Sequence, residues 1–168
     1  MFRAVSLCLL ICTMTSLAGA ADQPRLRIGD ALPDLVVSRL AGEPLHLSSL
    51  RGQNAVITIY SSFCEPCHRT LPTVVRLVAE INEQANVKVQ LYVIAVDGNV
   101  DEDLVAKYGP AVTWLLDHDG SAQAAFDPQT LPCTFLADGT GTVRHINRGY
   151  GQGYEKRVGD WLRALVTH

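Results

Sequence analysis

The chain contains 168 residues, and its 14 Lys and Arg against 17 Asp and Glu give a net charge of −3. This length suits one domain with its own hydrophobic core, and the sequence shows no linker, repeat or low-complexity tract that would divide it. The slight excess of acidic side chains argues against a protein that binds nucleic acid.

The N-terminal residues resemble an export signal. Arg3 precedes an uncharged apolar run over residues 4–17, and small residues follow up to Ala20. The run is shorter than the roughly 18 to 20 apolar residues of a membrane span. We therefore predict a signal peptide over residues 1–20 that is cleaved after Ala20, with retention as a membrane anchor as the alternative. The predicted mature domain covers 21–168 and lies in the bacterial periplasm.

Cysteine usage indicates redox chemistry rather than a structural framework. Cys8 and Cys12 leave with the signal peptide, so the mature chain keeps Cys64, Cys67 and Cys133. An odd number of cysteines in an oxidising compartment leaves one unpaired, and we expect that one to be Cys133. A bridge closing the short loop between Cys64 and Cys67 would constrain the unfolded chain weakly. Cys133 is then either a small buried hydrophobe or a third redox participant.

Secondary-structure signals begin with a short hairpin. The sequences LVV at 35–37 and LHL at 45–47 flank the turn sequence AGEP, and residues 54–60 (NAVITIY) predict a buried strand. From Glu65 onward the apolar residues recur at helical spacing as far as Ile81. The polar sequence NEQ that follows predicts the end of this helix.

The second half of the chain continues the alternation of strands and helices. Residues 87–96 predict a central strand, acidic residues from Asp101 open a short helix, and residues 113–116 predict a third strand. The sequence DHDG at 117–120 is typical of a surface turn. The remaining predicted elements are the two strands of a hairpin and a final helix, at residues 133–137, 143–148 and 154–165. This order is typical of an α/β sandwich.

The sequence SSFCEPCHRTLP over residues 61–72 supports two incompatible interpretations. Cys64, Cys67 and His68 spell the CxxCH motif of covalent haem attachment, while the same cysteines spell the start of a thioredoxin-like active-site helix. The predicted mature chain contains no Met, so a haem would lack the common methionine ligand. The motif also follows a buried strand, whereas small cytochromes are mainly helical. We therefore favour the thioredoxin-like interpretation and keep a c-type haem protein as a minor alternative.

A strand-to-helix junction gives the two cysteines a chemical purpose. The helix N-terminus presents free N–H groups and a partial positive charge that stabilise a thiolate, so Cys64 is the candidate nucleophile. The spacing of three lets Cys67 form a disulfide with Cys64 and resolve a mixed disulfide. Pro66 stiffens the first turn, and the carboxylate of Glu65 disfavours the thiolate, which favours a reductant. His68 is either a modulator of this pair or a solvated helix residue.

Two longer stretches carry a family resemblance. The sequence from residue 28 to Cys67, ending in SSFCEPC, and the sequence around TLPCTFLADGTG resemble the exported TlpA/ResA-type thioredoxin-like proteins of the AhpC/TSA-redoxin superfamily. The resemblance implies a thioredoxin-like α/β sandwich, with a central mixed sheet, flanking helices and an N-terminal β-hairpin extension. It also implies that Pro132 is a cis-proline whose loop faces the CxxC motif, with Leu131 in contact with substrate.

Three positions depart from the family pattern. Phe63 stands where these proteins usually carry Trp, and we expect it to contact substrate. Thr70 replaces a frequent Glu, and Thr58 replaces the buried Asp of thioredoxin, so no carboxylate has an evident role as proton acceptor for Cys67. A peroxidase of the peroxiredoxin type shares this fold, but the sequence YSSFC lacks the Pro, Thr, Cys setting of its nucleophile.

The sequence thus predicts an exported thiol:disulfide oxidoreductase that reduces protein disulfides through a Cys64–Cys67 couple, without cofactor or metal. Re-reduction outside the cytoplasm implies a membrane-borne thiol electron donor, and we expect a monomer. By resemblance, the substrates include apocytochrome c or a partner in copper-site maturation. The alternative from another class is a copper-binding maturation factor that uses Cys64, Cys67 and His68 on the same fold.

Overall fold

The structure is a computed structural model that describes residues 25–167, so the predicted signal peptide lies outside the described residues. The strands are β1 Val36–Arg39, β2 Pro44–His46, β3 Asn54–Tyr60, β4 Val89–Ala95, β5 Thr113–Leu116, β6 Cys133–Ala137 and β7 Val143–Arg148. The helices are α1 Glu65–Gln84, α2 Glu102–Tyr108, α3 Ser121–Phe126 and α4 Tyr154–Val166. Within residues 25–167 no helix is long and apolar enough to span a membrane.

The seven strands form one mixed sheet in the order β2-β1-β5-β4-β3-β6-β7. The three inner strands β3, β4 and β5 are parallel, and the other neighbouring pairs are antiparallel. The N-terminal hairpin extends the sheet because Ser38 of β1 pairs with Leu116 of β5. The expected mixed sheet with flanking helices and an N-terminal hairpin is confirmed.

Strand β3 lies inside the sheet, between β4 and β6, and both of its faces are covered. All seven residues of NAVITIY are buried, as the run of apolar and β-branched residues predicts. Side chains alternate along a strand, so Val56 and Tyr60 join the core under α1 and α4, while Ile57 and Ile59 join the core on the opposite side. We call these sides the α1 face and the α3 face of the sheet.

Helix α1 begins at the redox motif and packs on the α1 face along its whole length. Its buried stripe is the one that the spacing predicts, and it consists of Cys67, Thr70, Leu71, Val74, Leu77, Val78 and Ile81. The helix continues past Pro72 to Gln84. Because the stripe fixes the rotation of α1 on the sheet, it also fixes Cys67 on the buried side and Glu65 on the exposed side.

Strand β4 begins two residues later than the sequence predicts. Val87 is 44% exposed and lies before the strand, whose first residue is Val89. The amide side chain of Asn82, near the end of α1, accepts a hydrogen bond from the backbone N–H of Val89 and donates one to its C=O. This side-chain bridge ties Val89, the first residue of the strand, to the end of α1, and a single-sequence pattern does not contain it.

The turn after β5 differs from the expected surface turn at one residue. Asp117 is only 4% exposed, and its carboxylate accepts the backbone N–H groups of Ala122 and Gln123 in the first turn of α3. A helix leaves its first N–H groups without partners, and a carboxylate satisfies them well. The surface prediction is wrong for Asp117, which anchors α3 to the end of the sheet.

Candidate active site

The redox motif lies where β3 ends and α1 begins. The chain leaves β3 at Tyr60, turns through residues 61–63, and enters the helix with Cys64 as its N-cap residue. The backbone N–H of Cys64 donates to the C=O of Ser61 at 3.1 Å, which closes the turn. The sulfur of Cys64 therefore faces the free N–H groups and the partial positive charge of the helix N-terminus.

Cys64 and Cys67 are joined by a disulfide, with their Cα atoms 5.2 Å apart. The backbone N–H of Cys67 also donates to the Cys64 sulfur at 3.2 Å. Cys64 is half-buried, whereas Cys67 is 1% exposed in the core of the α1 face. One sulfur of the pair is therefore open to an incoming molecule and the other is shielded.

Glu65 is exposed in the first turn of α1, next to the disulfide. Its carboxylate accepts a hydrogen bond from Arg69 at 2.9 Å, one helical turn later. The guanidinium offsets part of the negative charge that the sequence places beside Cys64, although an exposed pair of this kind is weak. Pro66 lies in the same turn, where its missing N–H costs no helical hydrogen bond.

His68 contacts the turn that precedes Cys64. Its Nε2 atom lies 2.9 Å from the C=O of Ser62 and 3.4 Å from the hydroxyl of Tyr60, and its ring packs edge-on against the Tyr60 ring. Because a carbonyl only accepts, the short contact places a proton on Nε2, which donates to Ser62. His68 thus ties the first turn of α1 to the chain before Cys64.

Tyr60 is the last residue of β3 and lies beneath this turn, 1% exposed. Burial raises the pKa of Tyr60 to about 12, and the carboxylates of Asp97 and Asp101 contribute in the same direction. The phenol therefore stays protonated at neutral pH.

Asp97 is a site residue that the sequence did not suggest. One of its carboxylate oxygens accepts hydrogen bonds from the hydroxyls of Ser61 and Ser62 and from the backbone N–H of Ser62, at 2.7 to 2.9 Å. Partial burial alone would raise the pKa of Asp97, but the hydrogen bonds from Ser62 and Ser61 hold it below its ordinary value. Asp97 follows β4, which is parallel to β3, so the ends of the two strands meet at one edge. The predicted neighbourhood of these two strands was the only sign in the sequence that Asp97 lies near the redox motif.

Leu131 and Pro132 lie at the same edge, directly before β6. The peptide bond between them is cis. Cys133 pairs with Ile59 of β3, which brings the Pro132 loop beside the end of the strand that leads to Cys64. Leu131 is half-buried, and among residues 25–167 neither its N–H nor its C=O makes a backbone hydrogen bond. Phe63, next to Cys64, is 89% exposed.

Cys133 lies away from the disulfide. It is free and fully buried, and its side chain belongs to the core of the α3 face, whereas Cys67 belongs to the core of the α1 face. Burial raises the pKa of the Cys133 thiol to about 12. In the structure Cys133 is therefore a small buried hydrophobic residue, the first of its two predicted roles.

The two threonines at the family's carboxylate positions are both buried on the α1 face. The Thr70 hydroxyl donates to the C=O of Pro66 at 2.8 Å. The Thr58 hydroxyl has no hydrogen-bond partner within the part of the chain that the structure describes. The neighbouring Thr134, which pairs with Thr58 across the sheet, shares a hydrogen bond with the Tyr154 phenol at 3.1 Å. None of these four groups is a carboxylate.

The sequence model of the AhpC/TSA family matches residues 28–146, which include β1 to β6, the disulfide and most of β7. The chain belongs to the AhpC/TSA family.

Curated relatives place this AhpC/TSA member among redox proteins. The thiol-disulfide oxidoreductase ResA of Halalkalibacterium halodurans is 27% identical over 133 residues, which cover 77% of this chain and 73% of the relative. ResA of Bacillus anthracis is 25% identical over 150 residues, covering 87% and 83%. Together with the bridged CxxC pair, these relatives confirm the enzyme class expected from the sequence, thiol:disulfide oxidoreductase.

Solved structures confirm the thioredoxin-like fold. A Chlorobium tepidum protein provisionally called thiol:disulfide interchange protein DsbE has a TM-score of 0.72 at 20% identity, over 84% of this chain and 99% of that one. A secreted Mycobacterium tuberculosis disulfide oxidoreductase homologous to E. coli DsbE has a TM-score of 0.63 at 24% identity, over 79% and 96%. At these identities the comparison concerns the fold alone.

Proposed function

We propose that this protein is an exported reductase of protein disulfides. The observation that carries the proposal is the asymmetry of the Cys64–Cys67 pair, in which one sulfur is accessible at a helix N-terminus and the other is buried. Thiol-disulfide exchange needs this asymmetry, because the accessible sulfur must reach a protein substrate and the buried one must react only afterwards. The charges around the pair then favour the reductive direction.

The proposed cycle starts from the reduced pair. The Cys64 thiolate attacks one sulfur of a substrate disulfide, that S–S bond breaks, and the departing substrate thiolate takes up a proton. The Cys67 thiolate then attacks the Cys64 sulfur of the mixed disulfide and releases the second substrate thiolate. Two electrons have moved to the substrate, and the protein carries the Cys64–Cys67 disulfide that the structure contains.

Each further site residue has a proposed role in this cycle. Phe63 and the backbone of Leu131 bind the substrate segment beside the disulfide, and Pro132 shapes that loop. Pro66 keeps the first turn of α1 rigid. Glu65 and His68 modulate the pair, His68 through its hydrogen bond to the turn before Cys64.

The charges at this edge favour reduction over oxidation. Glu65 lies next to Cys64, and the carboxylates of Asp97 and Asp101 act on Tyr60 at the same end of β3. Negative charge disfavours a thiolate, which makes the reduced pair less stable and a better electron donor. The strongly oxidising CxxC proteins owe their potential to the opposite effect, a stabilised reduced form.

The proposed setting is the periplasm. Export follows from the predicted signal peptide over residues 1–20, and re-reduction then requires a membrane-borne thiol donor that supplies two electrons per turnover. We propose that the protein acts as a monomer, and that its substrates include apocytochrome c or a partner in copper-site maturation, by analogy with the family that the sequence resembles.

The reduction potential of the Cys64–Cys67 pair tests the proposal, with Cys133→Ser as the control. A value near or below about −270 mV supports a reductase, and a value near about −120 mV would reverse the proposed direction of electron flow. A protein without a reversible couple that binds one copper ion per chain through Cys64, Cys67 and His68 would instead establish the copper-binding alternative.

A further inference from the structure

Two exposed aromatic side chains lie at the edge of the sheet that carries the disulfide. Among the large hydrophobic side chains exposed within residues 25–167, the aromatic ones are Phe63, 89% exposed, and Tyr150, 42% exposed. Phe63 directly precedes Cys64. Tyr150 lies two residues beyond the end of β7, and no step of the proposed cycle uses it.

Tyr150 is held beside the Pro132 loop by the β6–β7 ladder. Cys133 pairs with Arg148, so the chain before Cys133 and the chain after Arg148 leave the sheet side by side. The backbone N–H of Gly149 donates to the C=O of Pro132 at 2.8 Å, which continues the pairing one step beyond the strands. Gly149 has φ of +76°, a conformation that glycine adopts without strain, and this turn sets the direction of Tyr150.

The ring of Tyr150 is anchored while its outer side stays open to solvent. It packs edge-on against Tyr154, with ring centroids 5.3 Å apart. Tyr154 is 1% exposed, and its phenol is hydrogen-bonded to Thr134 in the core of the α1 face. A ring fixed in this way offers contact area without a large loss of side-chain entropy on binding.

We propose that Phe63 and Tyr150 form an aromatic clamp for the substrate polypeptide, with the Leu131–Pro132 loop between them. This inference rests on the proposed function. The order of the strands supports it, because β6 lies between β3 and β7, so that the edge presents Phe63 with Cys64, then Leu131–Pro132, then Tyr150. A segment that lies along this edge with its disulfide at Cys64 reaches Tyr150 at its other end.

The spacing of the strands specifies the substrate class. Neighbouring strands lie about 4.8 Å apart, so β3 and β7 are separated by about 10 Å, and an extended chain covers that distance in about three residues. Tyr150 therefore selects polypeptides with an apolar or aromatic side chain about three residues from the attacked cysteine. A small disulfide that occupies only the Cys64 end does not reach it.

A single-turnover assay tests the clamp. The pre-reduced exported protein is mixed with an excess of a disulfide-linked peptide, so that each Cys64–Cys67 dithiol reduces one substrate disulfide and no other reductant is present. Two peptides are compared that carry either Phe or Ser three residues from each cysteine on both sides, and hydroxyethyl disulfide is the small substrate. The variants are Tyr150→Ala, Tyr150→Phe and Ile28→Ala.

The expected result is a loss of discrimination. The ratio of rate constants for the Phe peptide over hydroxyethyl disulfide falls about three- to tenfold in Tyr150→Ala, as the loss of one aromatic contact implies, and Tyr150→Phe restores it. Ile28→Ala keeps the wild-type ratio. Ile28 is also hydrophobic and is 63% exposed, but it lies beside Gly29, whose N–H donates to the C=O of Val143 at the opposite end of β7.

Two other results would overturn different claims. If Tyr150→Ala keeps the wild-type ratio, or if the wild type reduces the Phe and Ser peptides equally well, the clamp does not exist and the reductase proposal stands. If the wild type reduces neither the two peptides nor hydroxyethyl disulfide, the proposed function itself is wrong. Because each variant is judged by a ratio within one protein sample, partial misfolding of Tyr150→Ala lowers both rates and leaves the ratio unaffected.

Discussion

The carboxylate of Asp97 receives both the backbone N–H and the hydroxyl of Ser62, each at 2.7 Å. Ser62 belongs to the turn between β3 and Cys64, while Asp97 follows β4. The end of one parallel strand thus fixes the turn that leaves its neighbour. On the other side of the turn, His68 donates to the C=O of Ser62. The position of Cys64 therefore depends on two contacts from different elements.

We predict that Asp97→Ala loosens this turn. The substitution leaves three donors of Ser61 and Ser62 without their common acceptor, and because the turn is partly exposed, water replaces some of the lost bonds. Urea unfolding of the oxidised protein should show a loss of about 1 to 3 kcal/mol. Attack by the Cys64 thiolate on a peptide disulfide should also slow.

Asp97→Asn provides the matched control, because its amide oxygen still accepts hydrogen bonds but carries no charge. We expect its stability to lie between those of the wild type and Asp97→Ala. Equal stability and equal rates in all three proteins would show that the turn holds its shape without Asp97.

The exposure of the two sulfurs predicts opposite phenotypes for single cysteine variants. Cys67→Ser should accumulate a mixed disulfide between Cys64 and the substrate, because attack occurs and resolution does not. Cys64→Ser should form no such adduct, because the remaining Cys67 is 1% exposed. Non-reducing electrophoresis after mixing with a disulfide-bonded protein measures both. An adduct that forms only with Cys64→Ser would show that Cys67 is the nucleophile and Cys64 the resolving cysteine.

The sequence predicts the order of elements well because that order depends on local patterns. β3, β5, β6 and β7 have the predicted bounds, since apolar runs and turn residues mark their ends. The late start of β4 and the buried position of Asp117 escape prediction for one reason. Both depend on hydrogen bonds between a side chain and the backbone, and the pattern of apolar and polar residues does not reveal such bonds.

The same distinction holds in the site. Cys64, Cys67 and Pro132 belong to motifs that can be recognised in the sequence alone. Asp97 and Tyr150 carry none, since Asp97 follows a strand in an unremarkable DGN sequence and Tyr150 lies in a glycine-rich loop. Only the neighbourhood of β3 with β4, and of β6 with β7, brings them to the disulfide.

The Cys133 thiol should not react with thiol reagents in the folded protein and should take no part in its redox chemistry. Its thiol is fully buried, and burial raises its pKa to about 12, so thiolate is scarce at pH 8. Titration of the oxidised protein from residue 21 onward with a thiol reagent should detect almost no thiol before unfolding and one per chain in denaturant. Cys133→Ala should leave the potential of the Cys64–Cys67 pair unchanged. A fast-reacting thiol in the native protein, or a shifted potential, would make Cys133 a redox participant.

Asp138, in the turn between β6 and β7, should make the free energy of unfolding depend on pH in the acidic range. Burial alone would raise the pKa of Asp138, but hydrogen bonds from Thr140, Arg144 and the backbone of Thr142 lower it to about 2. A carboxyl whose folded pKa lies below its unfolded value of about 3.9 stabilises the fold above that value. The contribution is lost as the pH falls from about 4 to about 2.

Asp138→Asn isolates this contribution, because the amide accepts hydrogen bonds but does not titrate. The wild type should be more stable by on the order of 1 kcal/mol at pH 6, after allowance for solvent screening of the Arg144 pair, and the difference should shrink towards pH 2. Thermal melts at several pH values measure both proteins. A stability difference between wild type and Asp138→Asn that is the same at pH 6 and pH 2 would show that the Asp138 carboxylate contributes no charge-dependent stability to this turn.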